Sequence, residues 1–107
     1  MCQEFIMKLN NLSNNVYSLV KKIPKGKVST YGDIARAVGT HPRVVGRILH
    51  NNPYEKEVPC HRVVNASGRL APTFAFGGGD VQMRLLKKES VKFKKDKVDL
   101  VQSLWQR

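Results

Sequence analysis

Apolar residues fall at Leu12, Val16, Leu19, Val20 and Ile23, a spacing of i, i+4, i+7, i+8 and i+11. That is one stripe of a 3.6-residue helix, so the pattern predicts a helix that buries this face. Pro24-Lys25-Gly26-Lys27 ends it in a turn. Residues 1–10 stay outside any element and are a candidate disordered lead. Thr30, with Asp33 three residues on, has the form of a cap with an acidic N3 residue; it opens a second helix through Ile34, Ala35 and Val38, closed by Gly39. Thr40 is the candidate cap of a third helix, Pro42 to His50, with proline in its first turn and Val44, Val45, Ile48 and Leu49 apolar. Two short helices around a glycine turn spell helix-turn-helix. Arg43 and Arg47 share one face of the second of these helices. Gly46, a poor helix former, implies close approach of another backbone.

Asn51-Asn52-Pro53 stops that helix. Glu55 to Val64 reads as a loop with a short extended stretch, and Asn65-Ala66-Ser67-Gly68 as a turn. Phe74 to Asp80 is glycine-rich. Val81, Leu85 and Leu86 mark a helix ending near Glu89, with Asp80 as its candidate cap. Val91 and Phe93 suit a short strand, and Asp99 caps a terminal helix burying Leu100, Leu104 and Trp105. Repeats and low-complexity linkers are absent. The pattern gives a mainly α domain with a helix-turn-helix inside it.

Composition narrows the class. The chain has 107 residues, and Lys+Arg 19 against Asp+Glu 8 leave +11. Such a length suits one domain over 1–107 and excludes most enzymes with a separate cofactor-binding half. No run approaches the roughly 18 apolar residues of a membrane span, and the start lacks the marks of a signal peptide. The charge is a strong field for polyanions, of which nucleic acid is the commonest; a solvated lysine-rich surface is the bland alternative. Lys92-Phe93-Lys94-Lys95-Asp96-Lys97 is the one local cluster and reads as an exposed turn. Two cysteines, Cys2 and Cys60, favour a reducing, intracellular compartment.

Cys60-His61-Arg62 is the densest chemical cluster. A thiol becomes a useful nucleophile where cations or a base favour the thiolate. Neighbours on a regular strand point to opposite faces, so a shared Cys60–His61 site requires a turn or a bridging water, and Pro59 suits the turn. A small buried cysteine beside a surface histidine is the other reading. Cys60, His61, His41 and His50 lack metal-ligand spacing, and Phe76-Gly77-Gly78-Gly79-Asp80 lacks the lysine of a P-loop, so no metal and no cofactor are expected.

Val58-Pro59-Cys60-His61-Arg62-Val63-Val64 closely resembles the active-site signature of the O6-alkylguanine-DNA alkyltransferases. Gly26-Lys27-Val28-Ser29-Thr30-Tyr31 is similar to the family's segment before the helix-turn-helix. Arg43-Val44-Val45-Gly46-Arg47 through Asn51-Asn52-Pro53 is similar to its recognition helix and asparagine hinge, and Leu85-Leu86-Lys87-Lys88-Glu89 to its glutamate-ending helix. The likeness runs over about residues 12–93. It implies a winged-helix-like helix-turn-helix domain that is both DNA-binding and active-site domain. Cys60 would take an alkyl group from guanine O6 irreversibly; His61, through water, would remove the thiol proton, with Glu89 polarising it. Asn52 would hold the hinge, Tyr31 would touch the lesion's base edge or a neighbouring phosphate, and Arg43 would fill the gap left by the flipped base. Flipping is obligatory because the target carbon is inaccessible inside a duplex. Gly46 would permit minor-groove approach, with Arg47, Thr30 and Arg62 also at the DNA. Singly, each position has a structural alternative: Tyr31 as packing, Asn52 as helix stop, Glu89 as exposed charge.

Three departures matter. About ten residues precede the first predicted helix, so no counterpart of the long enzymes' N-terminal domain is expected, and the stretch after Gly68, Arg69-Leu70-Ala71-Pro72-Thr73-Phe74-Ala75-Phe76, lacks their tyrosine loop. The tail through Leu104-Trp105 is similar to the short alkyltransferase-like proteins, which usually replace the cysteine, transfer nothing and hand the lesion to excision repair. Alkyl transfer is the reading preferred here because the thiol is present. A lesion sensor and a helix-turn-helix regulator without lesion chemistry are the alternatives. The expected partner is duplex DNA bearing O6-alkylguanine, with excision-repair proteins as further candidates; a monomer without membrane contact is expected, in cytoplasm or nucleus.

Overall fold

A computed structural model describes residues 2–52, 57–70 and 78–107. The first helix, α1 (Cys2–Lys21), begins well before Leu12, so the backbone of 2–10 is helical rather than a disordered lead. In the sequence the three-and-four spacing continues upstream at Leu9 and Phe5. The helix tightens at its end, where the N–H groups of Lys22 and Ile23 bond the carbonyls three residues back, and Pro24 has no N–H to continue it.

Strand β1 (Ser29–Thr30) runs directly into α2 (Tyr31–Val38). Thr30 is extended and its Oγ1 accepts from the Asp33 N–H at 3.1 Å, the cap its sequence predicts. Gly39 closes α2 at φ 80°, and the N–H groups of Gly39 and Thr40 both reach the Ala35 carbonyl. Thr40 is thereby part of the end of α2, and the cap of α3 (Pro42–His50) falls one residue later. There the His41 Nδ1 accepts from the Arg43 N–H at 3.2 Å, which corrects the assignment to Thr40.

A single 3-10 turn over Cys60–Arg62 leads into β2 (Val63–Val64). Helix α4 (Gly78–Lys88) starts ahead of Asp80, so that carboxylate lies inside the first turn, where it faces the positive end of the helix, and is not the cap. Val91 precedes the strand rather than joining it: β3 (Phe93–Lys94) pairs antiparallel with β4 (Lys97–Val98). Asp99 does cap α5 (Leu100–Ser103), accepting from the Val101 N–H at 3.1 Å. The buried residue of that short helix is Ser103, while Leu100, Leu104 and Trp105 are only half-buried.

Strands β1 and β2 are parallel, Ser29 opposite Val63 and Thr30 opposite Val64, with α2 and α3 in the crossover that a parallel pair demands. Residues alternate faces along a strand. Val63 accordingly joins a core of Val16, Val20, Ile23, Ile34, Val45 and Leu49 from α1, α2 and α3. Val64 joins a second core with Val28, Leu86, Val91 and Val98. The helix-turn-helix and the β3–β4 hairpin therefore pack on opposite sides of the β1–β2 pair.

Candidate active site and nucleic-acid interface

Pro59 turns the chain so that Cys60, His61 and Arg62 form one tight turn, with the Arg62 N–H on the Pro59 carbonyl at 2.9 Å. This supplies the turn that a shared Cys60–His61 site requires. Cys60 is 6% exposed and belongs to the core beneath the helix-turn-helix, with Tyr31 packed against the same core. Two buried amides hold the turn. Asn52 Nδ2 donates to the Val58 carbonyl at 3.1 Å, tying the end of α3 to the chain just before Cys60. Gln82 Nε2 donates to the carbonyls of His61 and Val63, each at 3.0 Å. Sequence reading missed Gln82; its only signal is a polar residue one turn before Leu86 on the inward face of α4.

The other two residues of the turn, His61 and Arg62, enter an ion network with Glu89. His61 Nε2 is 3.0 Å from Glu89 Oε1. Arg62 donates to both oxygens of the same carboxylate, Nε to Oε1 at 3.0 Å and Nη2 to Oε2 at 2.6 Å, and through Nη1 to the Ile23 carbonyl at 2.8 Å. All three side chains are 13–16% exposed. Burial alone would raise the Glu89 pKa, but the Arg62 hydrogen bonds, then the charge and hydrogen bond of His61, outweigh it and hold the carboxyl below its usual range. Glu89 is thus an acceptor at neutral pH, so neutral His61 carries its proton on Nε2 and presents Nδ1 as a lone pair. Tyr31 moves the other way. Burial, with the neighbouring Cys60 charge adding to it, pushes its phenol up to about 12, so it keeps its O–H as a donor.

On α3, Val45 and Leu49 turn inward while Arg43 and Arg47 are exposed. Tyr17 Oη donates to the Ile48 carbonyl at 3.1 Å and fixes the helix against α1. A Cβ built on Gly46 would meet nothing within 4 Å among the described residues, so the space beside this face of α3 is open. Two other expected DNA contacts have different places. Thr30 is buried as the α2 cap, and Arg62 is turned inward to Glu89 and Ile23. Most of the glycine-rich stretch, 74–77, and the rest of the loop from Ala71 lie outside the described residues. Among the described residues no three His, Cys, Asp or Glu side chains group as a metal site.

Fold and site together define a helix-turn-helix DNA-binding domain with a buried thiol set beside a carboxylate-bound histidine. Residues 11–91 match the family model described as 6-O-methylguanine DNA methyltransferase, DNA binding domain. The chain belongs to that family. Among its relatives, Alkyltransferase-like protein 1 of Schizosaccharomyces pombe is 39% identical over 87 residues, covering 79% of this chain and 81% of the relative. The methylated-DNA–protein-cysteine methyltransferase of Metallosphaera sedula is 48% identical over 62 residues, covering 58% of this chain but only 40% of that enzyme's length. The crystal structure of S. pombe Atl1 in complex with damaged DNA containing O6-carboxymethylguanine superposes with a TM-score of 0.81 at 34% identity, covering 92% of this chain and 97% of that one.

Proposed function

We propose that this chain repairs DNA by gripping duplex through the minor groove with α3, turning an O6-alkylguanine out of the stack, and moving its alkyl group irreversibly onto Cys60. The observation that carries this reading is the thiol one residue from a histidine whose Nε2 is engaged by Glu89 at 3.0 Å, so that Nδ1 is the nitrogen to face a water. The thiol proton passes through a water to Nδ1 of His61. The sulfur lone pair forms the S–C bond as the C–O6 bond breaks, and the electron pair leaves on O6; the guanine anion then takes a proton. The step is redox-neutral and uses up the thiol. Tyr31, still protonated, donates to the everted base or a phosphate, Arg43 fills the vacated stack, and Asn52 keeps the end of α3 in register with the turn of Cys60. Open space at Gly46 lets a DNA backbone come close to α3.

The test is direct. After incubation with a duplex containing O6-methylguanine, the peptide holding Cys60 should gain one methyl group at stoichiometric yield. Cys60→Ala should bind the lesion duplex and gain nothing. Lesion binding by the wild-type protein without any mass gain would overturn transfer. A second reading has its own support, since the fold covers 97% of S. pombe Atl1, whereas the sequence match to the M. sedula enzyme covers 40% of its length. In that reading the protein, a monomer, holds the lesion and passes it to excision-repair proteins, and the mass measurement separates the two.

A further inference from the structure

The lysine-rich segment 92–97 has no part in the repair step, yet it concentrates charge against local stability in two ways. Lys94 and Lys97 stand directly opposite each other across β3 and β4, where like charges repel. Lys95, at the turn, has φ 58°, a left-handed conformation that favours glycine or asparagine. Lys87 and Lys88 at the end of α4, with Lys92, bring the group to six lysines. None forms an ion pair with a described residue. Of the nearby acids, Glu89 is taken by Arg62 and His61, and Asp99 by the Val101 N–H and Gln102 of α5, which leaves Asp96. Lys87 Nζ sits 5.5 Å over the Phe93 ring, which itself packs on the second core.

We propose that this hairpin is a second duplex-binding surface, taking the phosphate backbone of a second DNA segment while α3 holds the lesion-bearing one. Lysines are point charges suited to phosphates. The one aromatic ring of the patch is covered by Lys87, so bases have no platform to stack on, which favours a duplex backbone over a single strand. The hairpin and α3 pack on opposite sides of the β1–β2 pair, because Val64 and Val63 face opposite cores. A phosphate placed among opposed lysines removes the repulsion that the free hairpin carries. The inference rests on the proposed function only for which surface is already occupied.

The experiment immobilises a duplex containing O6-methylguanine, loads the full chain, and offers a fluorescent second duplex without a lesion. Wild type should capture it, less so as salt rises. In Lys94→Ala/Lys95→Gly/Lys97→Ala the affinity for the second duplex should fall about tenfold or more, and the salt slope by about one per lysine removed. Its unfolding temperature should hold or rise, since repulsion and the left-handed lysine are gone. Absence of capture by wild type overturns the proposal. So does loss of affinity for the first duplex in the triple variant, which would place the hairpin on the same DNA as α3, and so does equal capture of polyglutamate, which would assign the surface to acidic protein. The Cys60 mass gain in the same sample reports on repair separately. An Arg43→Ala/Arg47→Ala protein should keep the hairpin-dependent share of duplex binding even where lesion binding fails.

Discussion

Arg62 determines what His61 can be. Glu89 divides its charge between the two, and the guanidinium takes both oxygens. In Arg62→Ala the carboxylate faces His61 alone and a nearby cation is gone, so the imidazolium is favoured. Glu89 is then the charged partner at Nε2 of the imidazole. The acid limb of methyl transfer should therefore move to higher pH, with the rate at neutral pH falling about tenfold or more; Arg62→Lys should restore part of it. An unshifted limb with only a lower Tm would reduce Arg62 to a structural clamp. Glu89 also links the site to acid stability. Its native pKa is lowered, so the stability it confers is full above the ordinary carboxylate value of about 4.3 and is lost as pH falls through the lower native value. Glu89→Gln should be less stable than wild type at neutral pH and should lose the difference in that acid window, as followed by denaturant titration at each pH.

Among the elements, the turn over residues 65–68 leaves no room for a side chain at Gly68. Gly68 has φ 85°, and a Cβ there would lie 2.5 Å from the Val98 carbonyl oxygen; its own carbonyl accepts the Val98 N–H at 2.9 Å. Gly68→Ala combines left-handed strain with a clash against strand backbone and should cost about 2–4 kcal/mol, seen as a lowered denaturant midpoint. The sequence marks that turn by composition but is silent on its partner, and the same division runs through the molecule. Devices that act within a few residues were legible: the Thr30 cap, the Gly39 ending, the Asp99 cap. Thr40 misled because the end of α2 claims it, and two-residue strands are too short to show any period. The motif marks Cys60, His61 and Glu89 as candidates, and the fold brings His61 and Glu89, 28 residues apart, to 3.0 Å. The inward turn of Arg62 and the brace from Gln82 depend on chain brought in from 39 and 21 residues away, which no local pattern encodes.

At the scale of the whole molecule the question is whether two cores make one folding unit. Strand β2 gives Val63 to one core and Val64 to the other, and the Trp105 side chain packs on the first while its N–H bonds the Val28 carbonyl of the second at 2.7 Å. The site spans both, since Cys60 lies in the first core and Glu89 follows directly on the helix that carries Leu86. Leu86 is fully buried, so Leu86→Ala should cost about 2–5 kcal/mol. At roughly 4–8 °C per kcal/mol for a domain near this size, that lowers Tm by about 10 °C or more. Shared strands make the loss global. Helical circular dichroism and Trp105 fluorescence should therefore fall together in one transition, and methyl transfer should persist until that transition begins. If the second core melted alone, Glu89 and Gln82 would leave the turn of Cys60 while α1 to α3 stayed folded. Transfer would then fail at a temperature where the helical signal is intact, and the two cores would have to be treated as separate units.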